Sequence, residues 1–379
     1  MKKVLVTGGA GFIGSNLSLK LANDGYEVVV LDNLSPQIHG SDGDNSYLFK
    51  QIKNVDNIKF IKGDVTKRSD WMQALIGVQV VVHLAAETGT GQSMYEIANY
   101  TDVNVNGTAI LYDILANEEN DVEKVILSSS RAIYGEGKFE CKVHGVVYPT
   151  SRSIKDMDLG DFEVKCPYCH ENVVPLETDE NSQLFATSVY GVTKQAQEKL
   201  LEVMHLSLNI PVIIYRFQNV YGPGQSLKNP YTGILSIFST QIKNGHDLNI
   251  FEDGKETRDF VYIDDITNAV KLGIDDDTVK FDIFNVGSGE KTDVLTIANF
   301  LKNNYNSQIS VNVSGAYRVG DIRHNIADIS NISTKLGYKP TVTVAEGLSN
   351  FVNWVETQEV EEDTYESSIT EMKEKGLYR

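Results

Sequence analysis

The N-terminal stretch VLVTGGAGFIGSNLSLKLANDG restricts the fold more than any other part of the sequence. It joins an apolar strand to a helix through closely spaced glycines, and similar apolar runs recur along the first half of the chain. These runs are YEVVVLD, IKFIKGD, VQVVVHLAA, KVILSSS and PVIIYRF. Near-continuous Val, Ile and Leu runs are typical of strands that are buried on both faces. Their alternation with helical patterns predicts an α/β fold with a doubly wound parallel sheet.

The long apolar runs end at about residue 217, and a turn-rich sequence with shorter apolar runs follows. We predict a first domain over residues 1–217 and a smaller α/β domain mainly over 218–355, from which a segment at about 259–285 returns to the first domain. The second domain should lie at the carboxyl ends of the strands, where open α/β sheets bind ligands. Residues 136–180 lack apolar periodicity and hold all three cysteines, so we interpret them as an insertion. Residues 356–379 form an acidic tail, expected to be an exposed helix without a function.

Charge and hydropathy limit the partners of the chain. With 52 acidic and 34 basic residues its formal net charge is −18, which disfavours nucleic acid and anionic membrane surfaces. No stretch approaches the roughly 18 apolar residues that a membrane span needs. Glycines interrupt the apolar N-terminus at once, so we expect no signal peptide. Few cysteines and no signal favour the cytoplasm, and any anionic ligand must be bound by a local pocket.

The glycine loop predicts a dinucleotide site. Glycines let the backbone approach a pyrophosphate, and the helix N-terminus offers N–H donors and a positive dipole. Asp32 ends the second predicted strand, where a carboxylate bonds the adenosine ribose and repels a 2′-phosphate. We therefore expect NAD rather than NADP, with Asp64 and Val65 placed to bracket the adenine. The alternative is a tight turn in an unrelated α/β protein.

A possible acid–base pair lies in the segment SVYGVTKQAQEKLL. Tyr190 and Lys194 are four residues apart and share one helix face. A neighbouring ammonium and a positively charged nicotinamide would stabilise the tyrosine phenolate. Lowering the tyrosine pKa by about three units requires ~4 kcal/mol of differential interaction. The alternative is an ordinary surface pair on a helix.

Motifs along nearly the whole chain resemble the extended short-chain dehydrogenase/reductase family, which includes the NAD-dependent epimerases and dehydratases. They are TGGAGFIG, LDNL, GDV, HLAA, NVNGT, SSS…YG, YGVTK, YRFQNVYGPGQ, FEDGKETRDFVYIDD and NVGSG. The resemblance implies a Rossmann-type NAD-binding domain, a nucleotide-sugar substrate and a homodimer. It also implies that Ser130 is the catalytic serine, that Tyr190 is the base, and that Lys194 holds the nicotinamide ribose.

The same resemblance assigns residues to the two ligands. It places Arg258, Arg318 and Asp321 near the substrate diphosphate and its ribose, although surface ion pairing is the alternative for the arginines. It makes Phe251 a ring that stacks on the base. The implied cofactor contacts are Gly8, Gly11, Phe12, Ile13, Gly14, Asp32, Asn33, Asp64, Val65, Leu84, Ala85, Ala86, Asn104, Ser128, Tyr190, Lys194 and Phe217. The implied substrate contacts are Thr88, Ser130, Arg131, Asn219, Asn249, Phe251, Arg258, Arg318 and Asp321.

The two residues after Ser130 indicate the type of reaction. Family members that dehydrate sugars have an Asp–Glu pair at this point, which removes the C5 proton and expels the 6-hydroxyl. This chain has Arg131 and Ala132 there, and neither can do that work. Dehydration is therefore disfavoured. The remaining reaction is reversible oxidation at one carbinol of the sugar, as in a 4-epimerase with no net redox change.

A narrower resemblance concerns the sugar. The stretches SSSRAIYGEGKFECKVHG, KCPYC and QNVYGPGQSLKNPYTGILSIFS are similar to the branch that epimerises dTDP-L-rhamnose to dTDP-6-deoxy-L-talose for surface polysaccharides. One alternative is an epimerase of UDP-hexoses or of another nucleotide sugar. A second is a non-enzymatic NAD-binding scaffold whose Cys/His segment binds a partner. The intact Ser130, Tyr190 and Lys194 argue against the scaffold.

The insertion carries the pattern of a metal site. Cys141 and His144 form one pair and Cys166 and Cys169 a second, separated by the 21 residues from 145 to 165. This spacing suits a closed, tetrahedral, structural zinc site. A segment so poor in apolar residues often needs a metal to fold, so we expect a zinc-pinned flap at the mouth of the site. The alternatives are unligated thiols, or His170 as the fourth ligand.

Overall fold

The computed structural model describes residues 2–229, 233–361, 363 and 365–379. Residues 230–232, part of the stretch QNVYGPGQSLKNPYTGILSIFS at 218–239, lie outside the described residues. The strands are β1 (Lys3–Thr7), β2 (Glu27–Asp32), β3 (Ile58–Lys62), β4 (Val80–His83), β5 (Lys124–Ser130), β6 (Phe139–Cys141), β7 (Gly145–Val147), β8 (Val174–Pro175), β9 (Val212–Phe217), β10 (Asn219–Tyr221), β11 (Leu248–Ile250), β12 (Thr257–Tyr262), β13 (Phe281–Val286), β14 (Lys291–Asp293) and β15 (Val311–Val313).

The helices alternate with these strands through most of the chain. They are α1 (Phe12–Asn23), α2 (Pro36–His39), α3 (Tyr47–Ile52), α4 (Arg68–Ala74), α5 (Thr90–Ser93), α6 (Ile97–Tyr100), α7 (Gly107–Asn117), α8 (Ile154–Asp158), α9 (Val189–Leu208), α10 (Ile234–Lys243), α11 (Ile263–Asp275), α12 (Val294–Asn304), α13 (Ser330–Leu336), α14 (Val344–Glu356) and α15 (Tyr365–Glu374). Among the helices of the described residues, none is long and apolar enough to cross a membrane.

The main sheet has seven strands in the order β13-β9-β5-β4-β1-β2-β3, and all of its strand pairs are parallel. The six apolar runs of the sequence supply β1 to β5 and β9, so the predicted Rossmann-type α/β sheet is confirmed. The seventh strand, β13, comes from the segment at 259–285. The order reverses at β1 and β4, which opens a crevice at the carboxyl ends of these strands.

Both faces of the sheet are buried because successive side chains of a strand point to opposite faces. Val4 and Val6 of β1 pack into the core on one face, which α1 and α11 cover. Leu5 packs into the core on the other face with Val29 and Val81. These strands contain almost only Val, Leu and Ile, and this composition meets the requirement for burial on both faces.

The second domain is built around two small sheets. One has the strand order β10-β12-β14, and the other pairs β11 with β15. Helices α10, α12 and α14 pack around them, and their shared core includes Phe260, Leu301 and Phe351. Strand β10 begins two residues after β9 ends, so the chain passes directly from the main sheet into the second domain. This short connection holds the second domain beside the crevice.

The cysteine-rich segment forms an antiparallel sheet of its own, in the order β7-β6-β8. Its core is small and contains Phe139, Val147 and Val164 together with Cys141 and Cys166. Helix α8 lies nearby, and a second small apolar cluster joins its Met157 to Phe162 and Tyr317. Cores of this size supply little hydrophobic stabilisation, so other interactions must hold the insertion in place.

Buried ion pairs attach the insertion to the second domain. Arg323, whose side chain is 0% exposed, donates to Glu163 of the insertion at 2.8 Å and to Glu252 and Asp253 at 2.9 and 2.7 Å. Arg152 of the insertion donates to Glu252 at 2.7 Å. Each guanidinium has several acceptors, which a buried charge requires.

The acidic tail is not the exposed helix that the sequence predicted. Ile369 and Met372 of α15 are buried, and the chain after α15 pairs with residues 317–319. The tail is charged on its outer face only. Ile369 and Met372, three positions apart, are enough to bury one face of this short helix. Two apolar residues in an acidic segment form too short a helical pattern to be detected from the sequence.

We predict that Arg323→Leu lowers the free energy of unfolding by ~3 kcal/mol, because the buried carboxylate of Glu252 loses one of its two cations and Glu163 and Asp253 lose a partner. Urea unfolding followed by circular dichroism measures the change. Arg68→Leu is the control, since Arg68 forms an exposed cluster with Asp113 and Glu118 and should change stability much less. Equal losses in the two variants would contradict the structural role of the buried cluster.

Candidate active site

A cavity of about 540 Å³ opens at the carboxyl ends of β1, β2, β4 and β5 and extends to the second domain. One end is lined by the glycine loop and Asp32, the middle by Ser130, Tyr190 and Lys194, and the far end by residues of the second domain. The cavity therefore has room for an elongated ligand on each side of the central residues.

The glycine loop is shaped by close backbone contacts. Gly8 has φ +64°, and a Cβ there would lie 2.9 Å from the backbone of Ala85. A Cβ on Gly14 would collide with the carbonyl oxygen of Gly8. Only glycine fits these two positions, and the loop leads into α1, whose N-terminus faces the cavity. The residues present thus form the cradle that a pyrophosphate requires.

Asp32 is fixed at the end of β2 by two backbone donors. Its Oδ2 accepts from the N–H of Ala10 at 3.0 Å, and its Oδ1 accepts from the N–H of Leu34 at 2.8 Å. Burial raises the pKa of Asp32, and these two N–H groups act in the opposite direction. The Nε2 atom of His39 lies 3.8 Å from Oδ1. The carboxylate that the sequence predicted for the ribose is thus held rigidly beside the glycine loop.

Lys194 carries a buried amine on α9. Its Nζ donates to the carbonyl oxygen of Ser128, at the end of β5, at 2.8 Å. The side chain is 2% exposed, and burial lowers the pKa of Lys194 to about 7. The Nζ atom lies 5.9 Å from the centroid of the Tyr190 ring. The helix is anchored at its N-terminus, where the Ser188 hydroxyl accepts from the N–H of Gly191 at 3.1 Å.

The pKa of Tyr190 is raised overall, because burial outweighs two neighbours that act in the opposite direction. Burial raises the pKa of Tyr190, while a hydrogen bond from the Ser130 side chain and the charge of Arg131 lower it. The sequence had suggested Lys194 as the cation that acts on this phenol. In the structure Arg131 is the cation that lowers the pKa of Tyr190.

Arg131 directly follows Ser130, at the position that the sequence resemblance linked to the type of reaction. It begins a single 3₁₀ turn after β5, and its Nε donates to Oδ1 of Asn219 at 3.1 Å. Burial and the nearby Arg258 lower the pKa of Arg131 to about 10, so it is charged at neutral pH. A fixed cation at this position can hold an oxygen-rich ligand but cannot act as a base.

The second-domain end of the cavity combines two arginines with an aromatic ring. Arg258 donates three N–H bonds to the backbone carbonyls of Thr257, Ile322 and Arg323. Arg318 donates from Nε to Oδ2 of Asp321 at 2.9 Å, and its Nη2 forms an ion pair with the same oxygen at 2.8 Å.

The guanidinium of Arg318 also lies 5.2 Å from the centroid of the Phe251 ring. The arginines are thus held in fixed orientations, as a site for an anionic ligand requires.

With one exception, every residue predicted to contact cofactor or substrate lines this cavity. The exception is Asn104, which was expected to line the cofactor site. It is fully buried behind the wall, where its Oδ1 accepts from the N–H of Glu87 at 2.8 Å and its Nδ2 donates to Thr193 at 2.9 Å. It therefore braces the loop after β4 against α9.

The cavity wall includes residues that sequence reasoning missed. Glu87 and His39 line the first-domain end, and Glu252, Glu256 and Tyr365 line the second-domain end. Burial raises the pKa of Glu256 to about 7, although the charge of the nearby Arg258 opposes the shift. Glu256 is two residues before Arg258, in the motif that the sequence had already marked. Tyr365 comes from the tail, where no sequence signal indicated a site.

The four predicted metal ligands come together away from the cavity wall. The ligand atoms of Cys141, His144, Cys166 and Cys169 lie within 4.8 Å of one another. The Sγ of Cys141 is 3.7 Å from the Sγ of Cys169, and Nδ1 of His144 is 3.5 Å from the sulfurs of Cys141 and Cys166. His170 is not in this group. It has φ +60° and an exposed side chain, so it occupies the left-handed turn position after Cys169.

Backbone donors surround two of these thiols. The N–H groups of Val143 and His144 point at the sulfur of Cys141 and lower its pKa. Burial acts to raise the pKa of Cys166, but the N–H groups of Cys169 and Tyr168 outweigh it and the pKa is lowered. In both pairs the donors are two and three residues after the cysteine. This turn stabilises thiolate, which is the form that binds a metal.

Comparisons with known proteins agree with this geometry. The sequence model of the NAD dependent epimerase/dehydratase family matches residues 4–152 and 165–287. The chain is 38% identical to the dTDP-L-rhamnose 4-epimerase of Burkholderia thailandensis over 356 residues, which is 93% of this chain and 95% of that protein.

Two solved structures have the same fold. One is the UDP-glucose 4-epimerase of Thermotoga maritima with UDP-glucose, at 29% identity and a TM-score of 0.73, with 93% of this chain and 98% of that chain covered. The other is the UDP-glucuronic acid 4-epimerase of Bacillus cereus with UDP-glucuronic acid and NAD. It has 27% identity and a TM-score of 0.75, with 93% and 99% covered.

The pKa of Lys194 generates a prediction about stability. Folding lowers this pKa from its ordinary value of 10.5 to about 7, so between these values the unfolded chain binds more protons than the folded chain. Stability should therefore rise with pH across this window, by up to ~1.4 kcal/mol per pH unit.

We expect the free energy of unfolding of Lys194→Met, measured with urea on nucleotide-stripped protein, to lack this rise with pH. Lys199→Met changes an exposed residue of the same helix and should show the same rise as the unaltered chain. The same pH slope in Lys194→Met and the unaltered chain would show that the amine is not buried as described.

Proposed function

The chain belongs to the NAD dependent epimerase/dehydratase family, and on that premise we propose that it is a nucleotide-sugar 4-epimerase that works through a transient 4-keto sugar. The observation that carries this proposal is the convergence of Ser130, Tyr190 and Lys194 in the middle of the cavity. The glycine loop lies on one side of them and a site suited to a nucleoside diphosphate on the other. Arg131 stands where a dehydratase needs an acid.

NAD fits the first-domain end of the cavity. Gly8 and Gly14 leave room for the pyrophosphate, and Asp32 presents a carboxylate to the adenosine ribose. That carboxylate would repel the 2′-phosphate of NADP. Bound NAD would accept a hydride from the sugar carbon and return it. Nucleotide released from denatured protein should therefore be NAD(H).

The residues of the chain handle the proton. Tyr190 would take the proton of the sugar 4-hydroxyl and return it after the keto sugar has turned over in the cavity. Ser130 would hold the same oxygen, and Arg131 would stabilise the phenolate between the two half-reactions. Lys194 would hold the nicotinamide ribose from the buried end of the cavity. An epimerase without net redox change needs a group that removes the hydroxyl proton in the first half-reaction and returns it in the second, and one base can do both.

We propose dTDP-L-rhamnose and dTDP-6-deoxy-L-talose, for surface polysaccharide, as the interconverting pair. The support is the relative from Burkholderia thailandensis, which is 38% identical and covers the chain almost fully. UDP-hexoses are the second candidate, and the likeness to the UDP-glucose 4-epimerase of Thermotoga maritima supports them at 29% identity.

Proton NMR separates the two candidates. Incubation of dTDP-L-rhamnose with the enzyme should produce a second anomeric signal, and UDP-glucose and UDP-galactose should remain unchanged. If only the UDP-hexoses react, the deoxysugar assignment is wrong and the epimerase assignment stands.

We also propose a homodimer in the cytoplasm, where thiols stay reduced. Helix α9 would contribute to the interface, because Val192, Val203 and Leu206 are 54%, 54% and 75% exposed on it. Apolar residues that are exposed together on one helix mark a surface suited to a second copy of the chain. Light scattering of the purified protein gives the mass directly.

We propose that the four ligands of the insertion bind one structural Zn²⁺. With Zn–S near 2.3 Å and Zn–N near 2.0–2.1 Å, tetrahedral geometry places two sulfurs about 3.8 Å apart and a sulfur and a nitrogen about 3.6 Å apart. The separations of 3.7 and 3.5 Å match these values. Four protein ligands close the site, and none of them lines the cavity, so the metal would not be catalytic.

We predict that Tyr190→Phe lowers kcat at least ~100-fold while NAD stays bound, because the general base is lost and the ring remains. Lys194→Ala should lower both activity and NAD content, and Ser130→Ala should be milder. Steady-state assays and nucleotide release by denaturation give the two readouts. Tyr112→Phe, on the surface of α7, is the control. A Tyr190→Phe enzyme with a near-normal rate would refute the mechanism.

We predict about one zinc per chain by elemental analysis. Cys166→Ser and His144→Ala should lose it because each removes one ligand of a closed site. His144→Cys should retain it, since a fourth thiolate also satisfies zinc. His170→Ala is the matched control and should keep full zinc content. Metal-free wild-type protein, or zinc that depends on His170, would contradict this assignment.

A further inference from the structure

The C-terminal segment, residues 365–379, crosses the outer rim of the cavity. Helix α15 is docked by Ile369 and Met372, which are 4% and 3% exposed. A Cβ built on Gly91 would lie 3.7 Å from the sulfur of Met372, and the Lys375 amine lies 5.7 Å from the centroid of the Tyr95 ring. The helix thus packs on the loop after β4, whose residues 88–90 line the cavity.

The end of the chain is tied to the opposite rim. The N–H of Tyr317 donates to the carbonyl of Arg379 at 2.8 Å, and the N–H of Arg379 donates back at 3.0 Å. The N–H of Val319 donates to the carbonyl of Leu377 at 2.9 Å. This short ladder backs the segment that carries Arg318. The tail therefore connects both rims of the cavity.

The ladder also places an aromatic ring against Phe251, a residue of the cavity wall. Tyr378 pairs with Arg318 across the ladder, and its ring meets Phe251 edge to face at 5.5 Å. Arg318 lies over the same Phe251 ring. Phe251 is therefore held between the tail and the guanidinium, which fixes the orientation of the ring.

Tyr365, the first residue of α15, lines the cavity beside Arg318 and Asp321. Burial raises the pKa of Tyr365, although the charge of Arg318 opposes the shift, so its hydroxyl stays protonated at neutral pH and can donate. Three N–H groups of Arg258 donate to backbone carbonyls, and Arg318 is held in an ion pair with Asp321, so a hydroxyl donor adds to what the two arginines can offer an anionic ligand.

We propose that Tyr365 donates a hydrogen bond to the diphosphate of the nucleotide sugar, and that the tail is the wall that completes the nucleotide end of the site. The inference rests on the proposed function in one respect, that the ligand is a nucleotide sugar. Tyr365 contacts the nucleotide and not the reacting sugar carbon. Tyr378 is a positioning residue, which acts through Phe251 and Arg318.

Tyr365→Phe tests the contact, because it removes only the hydroxyl and keeps the half-buried ring. Loss of a hydrogen bond to a charged group should raise the Kd for free dTDP and UDP about tenfold, as measured by calorimetry. The KM for the nucleotide sugar should rise in the same proportion, while kcat and NAD content stay unchanged. Glu374→Gln, on the exposed side of the same helix, should match the unaltered enzyme.

The binding measurement separates this inference from the proposed function. If no nucleotide sugar is turned over but nucleoside diphosphate binding still weakens in Tyr365→Phe, the epimerase proposal fails and this inference stands. An unchanged Kd in Tyr365→Phe overturns it, and so does wild-type protein that binds neither dTDP nor UDP. A fall in kcat at unchanged KM also overturns it, since it would place the hydroxyl at the sugar.

Discussion

The candidate site depends on one buried amine. Nζ of Lys194 is removed from water and donates to the carbonyl of Ser128 at 2.8 Å, and this bond fixes the register of α9 against the end of β5. Tyr190, one turn earlier on the helix, is thereby placed against Ser130, the last residue of that strand. Burial of the amine lowers its pKa to about 7, which means that the charged form is destabilised in the folded protein. Groups whose pKa is shifted strongly by burial are common at functional sites.

The sequence predicted most of the sheet and most of the cavity wall because both follow local rules. Buried parallel strands require apolar runs, and the loop requires glycine at positions 8 and 14. It could not predict what long-range packing decides. The tail had no strong hydrophobic pattern, so Tyr365 was missed. Asn104 was expected to line the cofactor site, but its side-chain amide bonds Glu87 and Thr193 behind the cavity wall. The charge of Arg131 acts to lower the pKa of Tyr190 only because the 3₁₀ turn after β5 brings the two side chains together, and their separation in the sequence does not predict this approach.

The insertion and the tail both contact the second-domain end of the cavity. The insertion reaches it through Arg152, which donates to Glu252 at 2.7 Å and to the carbonyl of Asp321 at 2.8 Å. The tail reaches it through the ladder at 317–319. The insertion and the tail therefore hold the segment that carries Arg318 and Asp321, so the second-domain end of the cavity depends on contacts from both.

In the proposed reaction, C4 of the sugar gives up a hydride to NAD and receives the same hydride back, while Tyr190 moves the hydroxyl proton. The most direct test uses dTDP-L-rhamnose labelled with deuterium at C4, incubated with the enzyme in ordinary water and analysed by mass spectrometry and NMR. If the hydride returns to the carbon it left, the epimerised product keeps its deuterium at C4. Loss of the label to solvent at the rate of epimerisation would show that the carbon is deprotonated instead, and would refute hydride transfer.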